Sequence, residues 1–222
     1  MSTQIGVCIP VGPYPVYKRH LAECLESVRR QTLPAADVVL VDDMAGLDPA
    51  EYPDCRIWRS PWRLGIPAVA NVGYALALPD LVFQLSCDDR LMPNCLEMLA
   101  RAWERWRDPL GFYWVDIEYS TGEKQALPCG HAMIHKQLWR HTGGYPPESG
   151  VGACDHIFVN MLMEHPEAGR LYHVDGGPLY WHREHAEQYT RHQNVSPSTI
   201  ADVRSSFSLR WQVPDNWGRY EP

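Results

Sequence analysis

The sequence has no apolar run approaching the ~20 residues that a membrane-crossing helix needs, so no membrane span is expected. It shows no charged-then-apolar leader either. Met1-Ser2-Thr3-Gln4 passes straight into a strand-like run, which gives the expectation of a cytoplasmic protein. The 7 cysteines contain no C-x-x-C pair, and their odd number argues against a closed disulfide framework. Positive charge is in deficit: 20 Lys plus Arg face 27 Asp plus Glu, a formal net charge of −7. That balance provides no electrostatic footprint for a phosphate backbone or an anionic membrane, and nucleic acid is not an expected partner. Of the 10 histidines, all but His20 cluster from His131 onward, without the paired helical spacing of a zinc protease, so no structural zinc is expected. Repeats, low-complexity tracts and domain-splitting linkers are also missing.

What is present reads as one α/β domain. A chain of 222 residues that is 45% hydrophobic is long enough to bury a real core. Gln4 to Val11 reads as a buried strand, and Val16 to Gln31 as a helix with Leu21, Cys24, Leu25 and Val28 on one face. Strand character returns over Ala36–Asp42, briefly over Arg56–Trp58, over Leu81–Ser86 and over Gly111–Tyr119. Helices are expected from Pro67 to Leu78 and from Pro93 to about Trp106, each opened by a proline. This alternation predicts a mostly parallel central sheet flanked by helices, with ligands beyond the carboxyl ends of the strands. Beyond Pro128 the pattern loosens into Gly-, Pro- and His-rich loops around one helix, Cys154–Glu164. We place the domain at residues 1–192 and treat 193–222 as a tail packing on it.

Both acidic pairs fall at strand ends. Asp42-Asp43 can accept hydrogen bonds from a nucleobase imide or a ribose hydroxyl, and equally from backbone amides as a turn cap. Asp88-Asp89 places two carboxylates side by side, which repel unless something cationic compensates; Mg²⁺ or Mn²⁺ on a diphosphate would do so, as would pairing with Arg90 or capping of the next helix. Asp155 opens an apolar helix, where an anion is stabilised, and suits both a proton acceptor and an N-cap. Arg183 can hold a diphosphate bidentately, and a nearby histidine can complete a divalent site. In Cys129-Gly130-His131, the small Gly130 permits close approach to a sugar that His131 could hydrogen-bond, or marks a plain turn.

Taken in order, these segments resemble glycosyltransferase family 2, the inverting enzymes of GT-A fold, from about Ile5 to His185. Cys8-Ile9-Pro10-Val11 through Ser27-Val28-Arg29-Arg30-Gln31-Thr32 looks like the family's opening strand and helix, which close on Ser-Val-x-x-Gln-Thr. Val41-Asp42-Asp43 is similar to the nucleotide-binding Val-Asp-Asp, and Leu64-Gly65 through Asn71 to the segment ahead of the metal strand. Ser86-Cys87-Asp88-Asp89 aligns with D-x-D-D, Gly143-Gly144-Tyr145 through Asp155 with Gly-Gly-Phe…Glu-Asp, and Arg183-Glu184-His185 with Arg-x-His.

The resemblance implies an inverting glycosyltransferase that takes a nucleotide-sugar donor, with UDP favoured, and a hydroxyl acceptor on a glycan, protein or small molecule. It implies Asp155 as catalytic base. Donor contacts would come from Pro10, Val11, Asp42, Asp43, Asn71, Asp88, Gly130, His131 and Arg183, and Mn²⁺ or Mg²⁺ would be held by Asp88, Asp89 and His185. The sequence departs from the family at Gly12, where an aromatic is usual and Tyr14 stands nearby, at Ala70 for Arg, at Ser86 for Asp and at Cys154 for an acid. Phe207-Ser208-Leu209-Arg210-Trp211 lacks the Gln of the Gln-x-x-Arg-Trp seen in processive synthases, which favours single addition. A binding module that has lost turnover is the alternative that Ser86 and Cys154 raise. A sugar nucleotidyltransferase ranks lower, because Gly12-Pro13-Tyr14-Pro15 is neither a long nor a basic glycine-rich loop.

Overall fold

The computed structural model describes residues 3–145 and 154–188. The expected loop at 146–153 and the tail beyond residue 188, including 193–222, lie outside the described residues. In chain order the elements are β1 (Ile5–Val11), α1 (Pro15–Arg29), β2 (Asp37–Asp42), β3 (Arg56–Arg59), α2 (Ile66–Leu76), β4 (Leu81–Gln84), β5 (Arg90–Leu91) and α3 (Cys95–Trp106). There follow β6 (Gly111–Tyr119), β7 (Lys124–Gln125), β8 (Ala132–His135), α4 (Lys136–Thr142), α5 (Cys154–Glu164) and β9 (Arg170–His182). The sheet runs β3-β2-β1-β4-β8-β6-β9-β5, with β7 beside β6.

The first four strands of that order are parallel. Both of their faces are covered, which is why Val38-Val39-Leu40-Val41 reads as a continuous apolar run. Side chains alternate across the sheet. On β1, Ile5, Val7, Ile9 and Val11 join the core under α1 and α3, while Cys8 faces the core under α2, α4 and α5. On the second face Gly73 of α2 rides so close to β1 that a Cβ there would fall 2.7 Å from the Cys8 Cβ. At β8 the sheet turns antiparallel, pairing with both β4 and β6, and β9 then runs parallel to β6.

Two stretches beyond Pro128 contain more order than their sequence predicts. β8 and α4 arise from Ala132–Thr142, and β9 extends over 13 residues. Gly176-Gly177-Pro178 interrupts the alternation of β9, and the register against β6 slips between Trp114 and Ile117. Gly176 and Gly177 both take positive φ at that irregularity, a conformation that favours glycine. After it, the end of β9 folds antiparallel onto β5, pairing Trp181 with Arg90 and Tyr180 with Leu91. That pairing carries Tyr180, His182, Arg183 and His185 to Asp88-Asp89.

The Ser-Val-x-x-Gln-Thr phrase has a mechanical reason. Ser27 Oγ accepts from the Leu91 amide at 3.1 Å. Gln31 receives the Leu96 amide at 2.9 Å and donates to the Met92 carbonyl at 2.7 Å. The Thr32 amide donates to the Pro93 carbonyl at 2.8 Å. The end of α1 thereby fixes the backbone leaving Asp88-Asp89 and caps the start of α3, so these polar residues position the acidic strand end from behind.

Candidate active site

A cleft opens at the carboxyl ends of β1, β2 and β4. Pro10, Tyr14 and Tyr17 form one wall, Asp43, Arg63 and the first turn of α2 another, and Gln84, Ser86 and Asp88 the floor. Tyr14 is 43% exposed at the rim, so its ring is available to stack on a flat ligand. Arg63 lies over the Tyr14 ring at 5.3 Å and donates to its hydroxyl at 3.2 Å. The sequence reading did not single out Arg63. Its one signal was a cation directly ahead of Leu64-Gly65.

The two members of each acidic pair diverge. Asp42 is fully buried; its carboxylate accepts the amides of Ala45, Gly46 and Leu47 and the Nε of Arg59, at 2.6 to 3.1 Å. It folds the loop after β2 and does not line the cleft, which corrects its expected place among the donor contacts. Asp43 does line the cleft. Its oxygens accept the Leu64 amide at 2.7 Å and the Gly65 amide at 3.1 Å, and each keeps lone-pair capacity toward the cavity. Pro10 is beside it, while Val11 is wholly buried and contributes its carbonyl to the Asp43 amide.

Asp89 is the inward member of the second pair. It accepts from the Tyr180 hydroxyl at 2.5 Å, His182 Nδ1 at 3.1 Å and the Arg183 amide at 2.8 Å. Burial opposes its ionisation, but the His182 hydrogen bond and charge outweigh this and hold the carboxyl below its usual range. The same contact overcomes burial at His182 and raises its pKa. Asp88 points the other way, into the cleft, where His185 Nε2 sits 3.1 Å from its carboxylate. Burial first, and then the neighbouring Asp89 charge, push its pKa up. Arg90 does not pair with Asp89; it bonds Glu23 at 2.7 Å and stacks 3.6 Å over Trp181.

Two buried carboxylates in sequence, one partnered only through His185 and the other through histidine and tyrosine, form an oxygen-and-imidazole donor set suited to Mn²⁺ or Mg²⁺. His185 Nδ1 is buried without a partner among the described residues, so the ring's only hydrogen-bonded nitrogen is the one facing Asp88. Around the second carboxylate, ligand atoms of Asp89, His131 and His182 lie within 4.8 Å of one another, and Asp89 and His182 also line the cleft. Asp89 and His182 hydrogen-bond each other there, as Asp88 and His185 do on the other carboxylate.

Arg183 is committed behind Asp88. Its Nε donates to the Asp88 carbonyl at 2.8 Å, and its terminal nitrogen pairs with Glu23. It organises the acidic strand end, and Arg63 is the cation that lines the cleft. His131 stacks on Tyr180 with centroids 3.7 Å apart; burial drops its pKa to about 4 and leaves it neutral at ordinary pH.

Gly130 approaches Asp155, not a sugar. Its amide donates to Asp155 Oδ2 at 3.1 Å, and a Cβ would lie 2.8 Å from that of Asp155. The second carboxylate oxygen, Oδ1, is buried without a partner among the described residues. Asn71 is likewise a structural residue. Its side chain accepts from Trp139 Nε1 at 3.0 Å and the Tyr145 amide at 2.9 Å, and donates to the Tyr145 carbonyl at 2.7 Å. It is 2% exposed and makes no cleft wall, which corrects the donor contact expected of it. Gly144, at φ +73°, sits against Asn71 and Trp139 with no room for a side chain, so Asn71 and Gly-Gly-Tyr form one knot between α2 and α4.

Residues 14–131, more than half the chain, match the family model described as glycosyl transferase family 2. The chain belongs to glycosyl transferase family 2. No curated protein matches it significantly by sequence. Solved structures similar to this family 2 chain include S. aureus TarS residues 1–349 in complex with UDP-GlcNAc, at TM-score 0.76 and 15% identity over 93% of this chain and 66% of that one. The UDP complex of the same protein gives TM-score 0.67 at 14% identity, over 96% of this chain and 73% of that one. A longer TarS structure gives 0.71 at 15% identity over 93% of this chain, which spans 39% of its length. The chain thus covers slightly under two thirds of the UDP-GlcNAc complex. At these identities the likeness establishes the fold, GT-A in type. Arg183 and His185 fall outside the matched segment, and the β5–β9 pairing brings them to the site.

Proposed function

We propose that the protein transfers a sugar with inversion from a UDP-sugar to a hydroxyl acceptor on a glycan, protein or small molecule, in a single-addition reaction that depends on Mn²⁺ or Mg²⁺. The observation that carries this reading is Asp155: one oxygen is fixed by the Gly130 amide, and the other is buried, without a partner among the described residues and able to take a proton. The family assignment and the likeness to TarS, solved with UDP-GlcNAc and with UDP, support the donor class.

Each residue has a task. Tyr14 stacks on the base at the rim, and Asp43, with Pro10 beside it, accepts a hydrogen bond from the nucleoside. Asp88 and His185 would hold the divalent cation, which when bound neutralises charge on the donor's diphosphate. Arg63 adds fixed positive charge in the cleft; Arg183 and Glu23 keep Asp88 in place. Neutral His131, stacked on Tyr180, is the residue we give to a hydrogen bond with a sugar hydroxyl, without added charge. Asp155 removes the acceptor proton as the acceptor oxygen attacks the anomeric carbon and the nucleoside diphosphate departs. A positioned base of this kind contributes ~10²–10⁴-fold to rate. The cytoplasmic reading is supported by seven cysteines that are all free, as a reducing compartment keeps them. Among the described residues no helix is long and apolar enough to cross a membrane.

The test is a thermal-shift and donor-hydrolysis panel of UDP-, GDP- and dTDP-sugars with Mn²⁺, Mg²⁺ or EDTA, on wild type and Asp88→Ala. Metal-dependent stabilisation by uridine nucleotides that is lost in Asp88→Ala is the expected result. Binding without turnover would favour the module that has lost activity, the reading raised by Ser86 and Cys154; absence of nucleotide binding would sink the assigned site.

A further inference from the structure

The cleft contains a polar group that neither the fold nor the acidic pairs employ. Gln84 closes β4 opposite Cys8 of β1. Strand alternation turns Phe83 and Leu85 into the core under α1 and α3, and leaves Gln84 and Ser86 lining the cleft. The Oε1 of Gln84 is buried and has no partner among the described residues.

A buried acceptor in a native protein ordinarily finds a donor, because leaving it unmade forfeits the hydrogen bonds water gave it. Among the described residues the Gln84 oxygen meets none. Ile66 and Val69 bring hydrocarbon from α2, and Pro10 has no amide hydrogen. The missing donor must come from whatever fills the cleft. Ser86 and Asp88 continue toward the cation-holding end, whereas Asp43, Gly65 and Tyr14 enclose the opposite end. Gln84 shares the cleft with Gly65 and with Tyr14 and Asp43, the residues that the donor reading gives to the nucleoside, and pairs in the sheet with Cys8, two residues before Pro10.

Building on the donor reading above, we infer that Gln84 is a specificity-determining residue that accepts a hydrogen bond from a polar hydrogen of the donor's nucleoside, either the base imide N–H or a ribose hydroxyl. The buried oxygen is satisfied only when such a group enters, so a ligand lacking it leaves the acceptor stranded. Sites built around a buried polar group reject analogues that cannot pair with it more sharply than apolar pockets reject a missing methylene.

The experiment is calorimetric titration of UDP, with Mn²⁺ present, into wild type and Gln84→Met, a substitution that keeps length and volume while removing hydrogen bonding. The expected result is about tenfold weaker UDP binding in the variant, with an unchanged or higher melting temperature because an unpaired polar atom has been removed. Gln84→Asn, which withdraws the amide by one methylene, is expected to weaken binding similarly and serves if Gln84→Met does not fold. The ratio of variant to wild-type Kd is then measured with 3-methyluridine diphosphate and with the 2′- and 3′-deoxy diphosphates. Collapse of that ratio to one for the methylated base assigns the imide; collapse for a deoxy analogue assigns the ribose. Equal UDP affinity in wild type and variant overturns the inference, as does a ratio that persists with every analogue. Failure of wild type to bind UDP overturns the donor reading itself, a result distinguishable from normal wild-type binding with an unaffected variant.

Discussion

The pairs Asp42-Asp43 and Asp88-Asp89 end two neighbouring strand systems in the same way, yet within each pair the two carboxylates have opposite fates. Asp42 and Asp89 turn inward and are consumed, the first by three backbone amides and Arg59, the second by Tyr180, His182 and the Arg183 amide. Asp43 and Asp88 line the cleft with fewer protein partners, and Asp89 reaches its wall as well, whereas Asp42 does not. Asp42 is the last residue of β2 and Asp43 follows it in a bend, whereas Asp88 lies in a turn beyond the end of β4, so the two pairs divide through different local backbone. The more heavily bonded acid is the first in one pair and the second in the other. An adjacent acidic pair is thus better read as a folded loop plus one available carboxylate than as a two-toothed ligand.

The largest expected effect tests the functional side through its reaction partner. Asp155→Asn should reduce transfer by ~10²–10⁴-fold in steady-state kinetics while leaving nucleotide Kd within about twofold; a kcat within tenfold of wild type would remove Asp155 as base. Asp88→Asn and Asp89→Asn separate the second pair. Asp88→Asn should abolish metal-dependent UDP binding with little loss in melting temperature. Asp89→Asn breaks a buried charge network and should cost about 3 kcal/mol in chemical denaturation. Equal destabilisation by the two would break the division into anchor and ligand.

Asp42→Asn should behave like Asp89→Asn in denaturation, at about 2 kcal/mol, with UDP affinity unchanged in correctly folded protein. Gly130→Ala introduces a methyl against Asp155 and should cost about 1–3 kcal/mol together with a fall in kcat, because the base itself must shift; a neutral effect would show that the contact is slack. The smallest effect concerns Asp37, at the opposite end of β2 from Asp42. Burial opposes its ionisation, yet bonds from Arg56 and the Leu78 amide lower its pKa. Its contribution is therefore present above the unfolded carboxylate value and is lost as pH falls through the lower folded value. Asp37→Asn should flatten that acid limb of a stability-against-pH curve by under about 1 kcal/mol, since Arg56 is half exposed.

The parallel half of the sheet was legible because each strand is buried on both faces and each helix presents one apolar stripe, leaving patterns of fixed period. Ile5–Val11, Asp37–Asp42 and Cys95–Trp106 fall close to their expected bounds for that reason. β8, α4 and β9 were not legible. Ala132–His135 is too short to show a period, and Gly176-Gly177-Pro178 breaks the one β9 would have had. Gln84 and Arg63 were equally silent, since nothing in their neighbours announces a cleft.

The sequence by itself determined the order of the main strands and helices up to Tyr119, the placing of carboxylates beyond β2 and β4, and family membership through phrases such as Ser27-Val28-x-x-Gln31-Thr32. Those features depend on periodicity and on hydrogen bonds between segments close in the chain. Tertiary structure alone decided which acid of each pair faces the cleft, that Asn71 and Arg183 serve the scaffold, and that His185 meets Asp88 across 97 residues. Side-chain direction at a strand end depends on what packs against each face, and the partners of Asp88 and Asp89 arrive through the pairing of β5 with β9, a contact with no local signature.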